Sequence, residues 1–278
     1  MAWTQTQARR LKELGLDPEA VECPASNPSE QNHLFQQIEK KQVKKTRAAL
    51  TRFLSKDRLT RMERLSHDLS RTLIHHGFSR VTTPVIISKS ALARMTITES
   101  HPLFNQVFWI NDRQCLRPML APNLYSLMVD LGRLKTRPIR FFEIGSCFRK
   151  ESDGARHNTE FTMLNLVEMG IEMDKRESRL QELAAIVAGS AGLENYEFQT
   201  ESSEVYGTTL DLVAGPDRIE VASGAVGPHS LDSAWGVTDV WAGMGFGLER
   251  LLMAGLGERT IGKWGINLAY LNGNRLNV

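Results

Sequence analysis

Trp241-Ala242-Gly243-Met244-Gly245-Phe246-Gly247-Leu248-Glu249-Arg250-Leu251-Leu252 is the stretch that decides how this chain is read. It opens as a glycine-rich strand, and residues 246–254 continue with apolar side chains at helical spacing. The glycines invite a phosphate-loop reading, but no Gly-Lys-Ser/Thr follows and the spacing is G-x-G-x-G, not G-x-G-x-x-G. Walker and Rossmann sites are both poorly supported. A glycine-rich strand still lets a ligand approach the backbone closely. The helix that follows puts Arg250 near its positive N-terminal end, where an anion is stabilised.

A second stretch, Phe141-Phe142-Glu143-Ile144-Gly145-Ser146-Cys147-Phe148-Arg149-Lys150-Glu151, leads through a polar loop to Glu160-Phe161-Thr162-Met163-Leu164-Asn165. It reads as a strand, a charged loop and a returning strand, with Arg149 and Glu151 on one face because side chains alternate with period two. An ordinary surface would make these an ion pair. In a site, Arg149 offers phosphate a fixed cation, the loop supplies His157, and Phe161 presents a ring for a base to stack on. A third stretch runs from Gly77 to Ile87, where a helix passes through glycine into a strand interrupted by Pro84. Taken alone it is a helix ending at an edge strand.

Working outward, β-rich runs fall at 80–88, 106–110, 139–144, 161–171, 196–200, 209–213, 218–222 and 241–244, with helical patterns at 122–134, 175–190 and 246–254. Their irregular order predicts an α+β fold, a mainly antiparallel sheet flanked by helices. Upstream, a short helix over 4–14 stops at Gly15, and a turn-rich linker covers 18–29. A helix then carries Leu50, Phe53, Leu59, Met62, Leu65, Leu69 and Leu73 to a stop at Gly77.

The chain has 278 residues, 41% apolar and 24% charged, enough for a sizeable core. Its net charge of +2 conceals an asymmetry: residues 40–64 carry +8, from ten basic and two acidic side chains, leaving −6 for the rest. That imbalance points to a polyanionic partner such as a nucleic acid. Cys23, Cys115 and Cys147 lie 92 and 32 positions apart, which fits neither a disulfide framework nor a Cys-x-x-Cys knuckle. No apolar run nears the ~18 residues of a membrane span, so the expectation is a cytoplasmic protein with no membrane partner.

Arg-x-Glu on a strand with a downstream Phe, and Gly-x-Gly-x-Gly-Leu-Glu-Arg at a strand–helix junction, resemble motifs 2 and 3 of the class II aminoacyl-tRNA synthetases; the helix–strand–Pro segment resembles motif 1. Within that class, Leu116-Arg117-Pro118-Met119-Leu120-Ala121-Pro122-Asn123-Leu124-Tyr125, Arg149-Lys150-Glu151-Ser152-Asp153-Gly154 and Glu160 to Asn165 resemble the pyrrolysyl-tRNA synthetase family. The resemblance covers essentially the whole chain and is densest over 114–171 and 205–252. It implies a ligase that makes pyrrolysyl-adenylate from pyrrolysine and ATP and esterifies an amber-decoding tRNA, recognised by shape without reading its anticodon. Arg149 and Arg250 would be the catalytic pair holding the ATP phosphates, with Glu151, His157, Asn158 and Phe161 around the purine and its sugar. Glu220, Val221 and Ser223 would border the nucleotide, Glu220 and Ser223 also supporting Mg²⁺. Ala121, Leu124, Tyr125, Met128, Val167 and Trp241 would line the amino-acid pocket, with Asn165 and Tyr206 as its polar contacts and Tyr206 on a mobile hairpin. Val167 and Met244 stand where other members carry smaller or more polar side chains, which leaves pocket width and tolerance of analogues open.

The resemblance further implies a short form without the separate N-terminal tRNA-binding domain of longer members. Residues 1–76 would be a helical, basic tRNA-binding region, residues 77–278 the catalytic core, and two copies would pair through motif 1. Two alternatives stay open from the residues: a class II synthetase of another specificity, such as phenylalanine, and a synthetase-like tRNA-binding protein without catalysis. His75, His76 and His229 are assigned to packing or surface.

Overall fold

The computed structural model describes residues 2–150, 158–215, 217–258 and 260–276. They form two compact units, Met1–Thr60 with Asn267–Val278, and Arg61–Ile266.

In the first unit, α1 (Gln5–Glu13) starts on a capping box in which Thr4 and Gln7 exchange hydrogen bonds. Helix α2 (Pro28–Arg52) is capped by Asn27 with Pro28 at its first position. The two helices are tied by Arg10 Nε to Glu39 Oε1 at 2.7 Å and Gln7 Nε2 to Asn32 Oδ1 at 2.8 Å. Lys40, Lys41, Lys44 and Lys45 are exposed. Helix α2 is polar around most of its circumference and buries only Gln31 and Thr46, which is why no apolar stripe announces it before Leu50. The continuous helix expected over 50–73 is in fact two. Helix α2 runs into a π-turn over Phe53–Asp57, and Arg58 takes a left-handed conformation (φ 58°) as its N–H returns to the Phe53 carbonyl. An L-residue meets a cost of about 1–2 kcal/mol there.

The second unit begins with α3 (Arg61–His75), ended by a Schellman arrangement: Gly77 sits at φ 83°, with Phe78 N–H on Leu73 O and Gly77 N–H on Ile74 O. The chain enters β1 (Ser79–Arg80), breaks at Pro84 and resumes as β2 (Ile86–Ser88), so the strand expected over 80–88 is split between two sheets. Next come α4 (Lys89–Arg94), α5 (Pro102–Gln106), β3 (Gln114–Leu116) and α6 (Ala121–Leu131). The strand expected over 106–110 is not formed: Gln106 ends α5, and only an isolated bridge joins Trp109 to Cys115. The remaining α-helices and strands of this unit are β4 (Ile139–Phe148), β5 (Glu160–Met169), α7 (Arg176–Ser190), β6 (Tyr196–Ser203), β7 (Gly207–Ala214), β8 (Ile219–Val226), α8 (Asp232–Trp235), β9 (Trp241–Gly247) and α9 (Leu248–Gly255).

Seven strands form one sheet in the order β1-β4-β5-β9-β8-β7-β6, antiparallel throughout except for β1 beside β4. The α+β fold with a mainly antiparallel sheet is therefore as expected. Leu65, Leu69 and Leu73 of α3, with Leu183 of α7 and Leu251 of α9, pack on one face against Phe142, Leu164, Met244 and Phe246. Each such buried side chain is worth about 1.5–3 kcal/mol. The other face carries Phe141, Val167, Met169 and Trp241 against α4, α6 and α8. Along β9, Ala242, Met244 and Phe246 belong to the first core, so by strand alternation Gly243, Gly245 and Gly247 fall on the opposite face. The G-x-G-x-G spacing is thus a period-two strand signal. It leaves a bare strip of backbone on one face of the sheet.

Candidate active site

That bare strip is the floor of a cavity of about 520 Å³. All fifteen expected site residues that lie among the described residues line it: Ala121, Leu124, Tyr125, Met128, Arg149, Asn158, Phe161, Asn165, Val167, Tyr206, Glu220, Val221, Ser223, Trp241 and Arg250. Glu151 and His157 fall outside the described residues.

Register separates the cavity into two ends. Strands β5 and β9 run antiparallel with Met163 opposite Gly247 and Met169 opposite Trp241. Phe161 and Arg250 therefore lie towards one end and Val167 and Trp241 towards the other, about 20 Å along the strands at 3.3 Å per residue.

At the first end, Arg149 continues from β4, its N–H on Thr159 O at 3.0 Å and its Nε on Pro118 O at 2.9 Å. Its guanidinium lies 5.2 Å from the Phe161 ring centroid. Pro118 is itself held by its neighbour: Arg117, 2% exposed, donates to Glu143 Oε1 at 2.7 Å and to Ser146 O at 2.8 Å, while Thr83 Oγ1 donates to Glu143 Oε2 at 2.6 Å. An alanine at Gly145 would put its Cβ 2.2 Å from Arg117 Nη2, so glycine is required there. Arg250, the third residue of α9, donates to the Glu220 carbonyl at 3.1 Å and lies 3.7 Å from the Glu220 carboxylate. Ser223 Oγ donates to Asp211 Oδ1 at 2.6 Å. Glu249 is buried and accepts the Thr162 N–H at 2.9 Å; burial pushes its carboxyl up to about 7, with the N–H donors opposing the rise.

At the second end, Asp232 is a buried hub. It accepts from Tyr125 OH at 3.2 Å, from Trp241 Nε1 at 3.1 Å and from the His229 N–H at 2.7 Å. Burial, with nearby Tyr206 and Asp232, raises the Tyr125 hydroxyl far above its ordinary value, so it stays a donor. Gly227 leaves room for Trp241: a Cβ there would lie 2.1 Å from Trp241 Nε1. Between the two ends Asn165 presents an Oδ1 that is buried with no hydrogen-bond partner among the described residues, an acceptor a ligand N–H can satisfy, beside an Nδ2 able to donate to a carbonyl.

A family model for the tRNA synthetases class II core domain (F) matches residues 47–263. The chain is also similar to the crystal structure of pyrrolysyl-tRNA synthetase from Desulfitobacterium hafniense, at 47% identity and a TM-score of 0.90, covering 99% of this chain and 98% of that one. The chain belongs to the pyrrolysyl-tRNA synthetase family of class II. A Giardia lamblia prolyl-tRNA synthetase shares the fold at 14% identity and a TM-score of 0.60, over 69% of this chain and 45% of that one. A curated lysine–tRNA ligase of Staphylococcus aureus is 29% identical over 198 residues, 69% of this chain. The chain spans 37% of that relative's length.

Sequence reasoning missed three side chains of this pyrrolysyl-tRNA synthetase family site. Asp211, a carboxylate inside the apolar strand run 209–213, gave a signal in its placement alone. Asp232 and His229 gave none, because their partners Tyr125, Trp241 and Tyr206 are remote in the chain. His75 and His76 are exposed, 5.9 Å apart between ring centroids. Among the described residues no group of three or more His, Cys, Asp or Glu is placed to hold a metal, and no helix is long and apolar enough to cross a membrane.

Proposed function

We propose that this protein joins pyrrolysine to the 3′ end of a tRNA through a pyrrolysyl-adenylate. The observation that carries the reading is one cleft with Arg149 and Arg250 towards one end, an apolar pocket towards the other, and between them the Asn165 amide, whose Oδ1 has no partner among the described residues. In the first step a carboxylate oxygen of the amino acid attacks the α-phosphorus of ATP and the bond to the β-phosphate oxygen breaks, releasing pyrophosphate. Two anions meet, so the work falls on charge neutralisation and alignment. Arg149 and Arg250 neutralise the phosphates, the Phe161 ring takes the base, and Asn158, which lines the same cavity, would border the purine and its sugar. In the second step the terminal ribose hydroxyl attacks the acyl carbon and gives its proton to a phosphate oxygen of the adenylate, while the acyl–phosphate bond breaks and AMP leaves with its electron pair. Neither step needs a dedicated acid–base side chain.

Glu220 and Ser223 are hard oxygen donors, and Ser223 has its hydroxyl hydrogen committed to Asp211, which leaves oxygen lone pairs for a cation. The pair fits Mg²⁺, which takes one or two protein oxygens and completes its shell with phosphates, and which would supply further charge neutralisation. Val221 would border the nucleotide between them.

Ala121, Leu124, Tyr125, Met128, Val167 and Trp241 suit the apolar end of a long lysine derivative, with Asn165 on its amide and Tyr206 over it. Lysine itself is less well served. Its ammonium would need a carboxylate at this end, and Asp232 is engaged by Tyr125, Trp241 and His229. The exposed lysines of α2 would grip tRNA phosphates as part of a basic N-terminal region. Two copies would pair through the motif 1 segment, where Ile74, Val85 and Ile86 are exposed. Pyrophosphate exchange with pyrrolysine, lysine and phenylalanine tests the reading. Exchange with pyrrolysine alone is expected. Exchange with phenylalanine or lysine in preference to it would overturn the specificity, and no exchange with any would leave a tRNA-binding protein.

A further inference from the structure

The β6–β7 hairpin reaches past the rest of the sheet. Strand β7 pairs with β8 only as far as Leu210 opposite Gly224, whereas β6 and β7 remain paired to Ser203 opposite Gly207. The turn between them is therefore an overhang, shaped internally by the Val205 and Tyr206 N–H groups on Ser203 Oγ at 3.3 Å each. Among the described residues, one hydrogen bond joins this turn to anything outside its own two strands: His229 Nε2 to the Tyr206 carbonyl at 2.8 Å. The ring's chemistry fixes its direction. Nδ1 accepts the Leu231 N–H at 3.2 Å, so in the neutral ring Nε2 carries the hydrogen and donates it. The imidazole is fixed from behind as well, since its own backbone N–H is anchored on Asp232, the carboxylate that also holds Trp241, and its ring centroid lies 6.4 Å from that of Trp241.

We propose that His229 is a positioning residue that latches the overhanging hairpin onto the wall of the amino-acid pocket, so that Tyr206 is already placed before the amino acid binds. The proposal rests on the reading of this pocket given above. A pre-placed lid lowers the ordering cost of binding and leaves the nucleotide end untouched. Hence the latch acts on the KM for the amino acid and not on that for ATP.

His229→Phe keeps a ring beside Trp241 and Tyr206 but removes the donor; His229→Gln restores an amide donor near the position of Nε2. Both full-length variants are compared with the unaltered protein by pyrophosphate exchange and by amide hydrogen exchange without ligand. For His229→Phe, the expected result is a KM for pyrrolysine raised about 2- to 10-fold, as for one neutral hydrogen bond, with unchanged kcat and KM for ATP. Amide exchange should quicken at residues 203–209 and not in β4 or β5. His229→Gln should lie closer to the unaltered protein in both measures. Equal behaviour of the two variants, or a KM for ATP that rises in step, would overturn the latch. If the unaltered protein fails to exchange with pyrrolysine, the pocket reading falls instead, while hydrogen exchange still decides whether His229 holds the hairpin.

Discussion

Gly245→Ala adds one carbon atom at the most consequential point of the floor. Gly245 stands opposite Asn165 in the β5–β9 ladder, and the new Cβ would lie 3.0 Å from both Nδ2 and Oδ1 of Asn165 and 3.2 Å from its Cγ. Non-bonded atoms settle at about 3.5 Å or more, so the amide must retreat by about half an ångström or rotate. The backbone itself tolerates alanine, since Gly245 is not among the glycines with positive φ. The perturbation therefore falls on one side chain. If Asn165 holds the amide of pyrrolysine, misplacing it costs about 1–3 kcal/mol, the range between a lost neutral hydrogen bond and a buried polar group left unmatched. That is roughly a 5- to 150-fold fall in kcat/KM for pyrrolysine. Pyrophosphate exchange titrated separately in amino acid and ATP measures it, with the KM for ATP expected to stay within about twofold. An unchanged kcat/KM for pyrrolysine, or an equal loss towards ATP, would refute the assignment of Asn165.

Further outcomes follow from other parts of the molecule. Replacing Lys40, Lys41, Lys44 and Lys45 by alanine should weaken tRNA binding and flatten its dependence on salt, with pyrophosphate exchange unaffected; binding titrations between low and moderate salt check this. Arg117→Met should destabilise the fold by about 3–5 kcal/mol because Glu143 is left buried and unpaired, whereas Arg117→Met with Glu143→Leu should recover much of that loss in urea unfolding. Glu249 has a folded pKa of about 7, above its ordinary 4.5, so its contribution to stability is full below about pH 4.5 and is lost as pH rises through 7. Between pH 5 and pH 8 the urea midpoint of Glu249→Gln should therefore fall less than that of the unaltered protein. Arg250→Ala should abolish exchange with tRNA binding nearly intact, and an equal loss of both would contradict the separation of nucleotide and tRNA contacts.

Much of the sheet was legible because its signals are local. The β-rich runs at 139–144 and 161–171, and glycines two apart on β9, depend on neighbours in the chain and survive into the structure. Where partners are remote, the sequence misled or fell silent. Val107, Phe108 and Trp109 look like a strand, yet Val107 is fully buried in the core beneath α5 and pairing passes to β3 instead. Helix α2 hides because a helix that buries so little has no stripe to read, and the break at Arg58 hides because it rests on a backbone conformation that arginine does not advertise. The site divides the same way. The site residues that the family resemblance implied meet in one cavity wherever they are described, although the motif 1 segment does not join them. His229 and Asp232 acquire their significance only from Tyr125, Tyr206 and Trp241, which folding brings to them.

The central claim is that two arginines, from the end of β4 and the first turn of α9, serve one nucleotide. A crystal structure with a non-hydrolysable ATP analogue tests it most directly. The account predicts phosphate oxygens within hydrogen-bonding distance of both Arg149 and Arg250, with the base against Phe161. A nucleotide bound elsewhere, or held by one of these guanidinium groups while the other turns away to solvent, would contradict it.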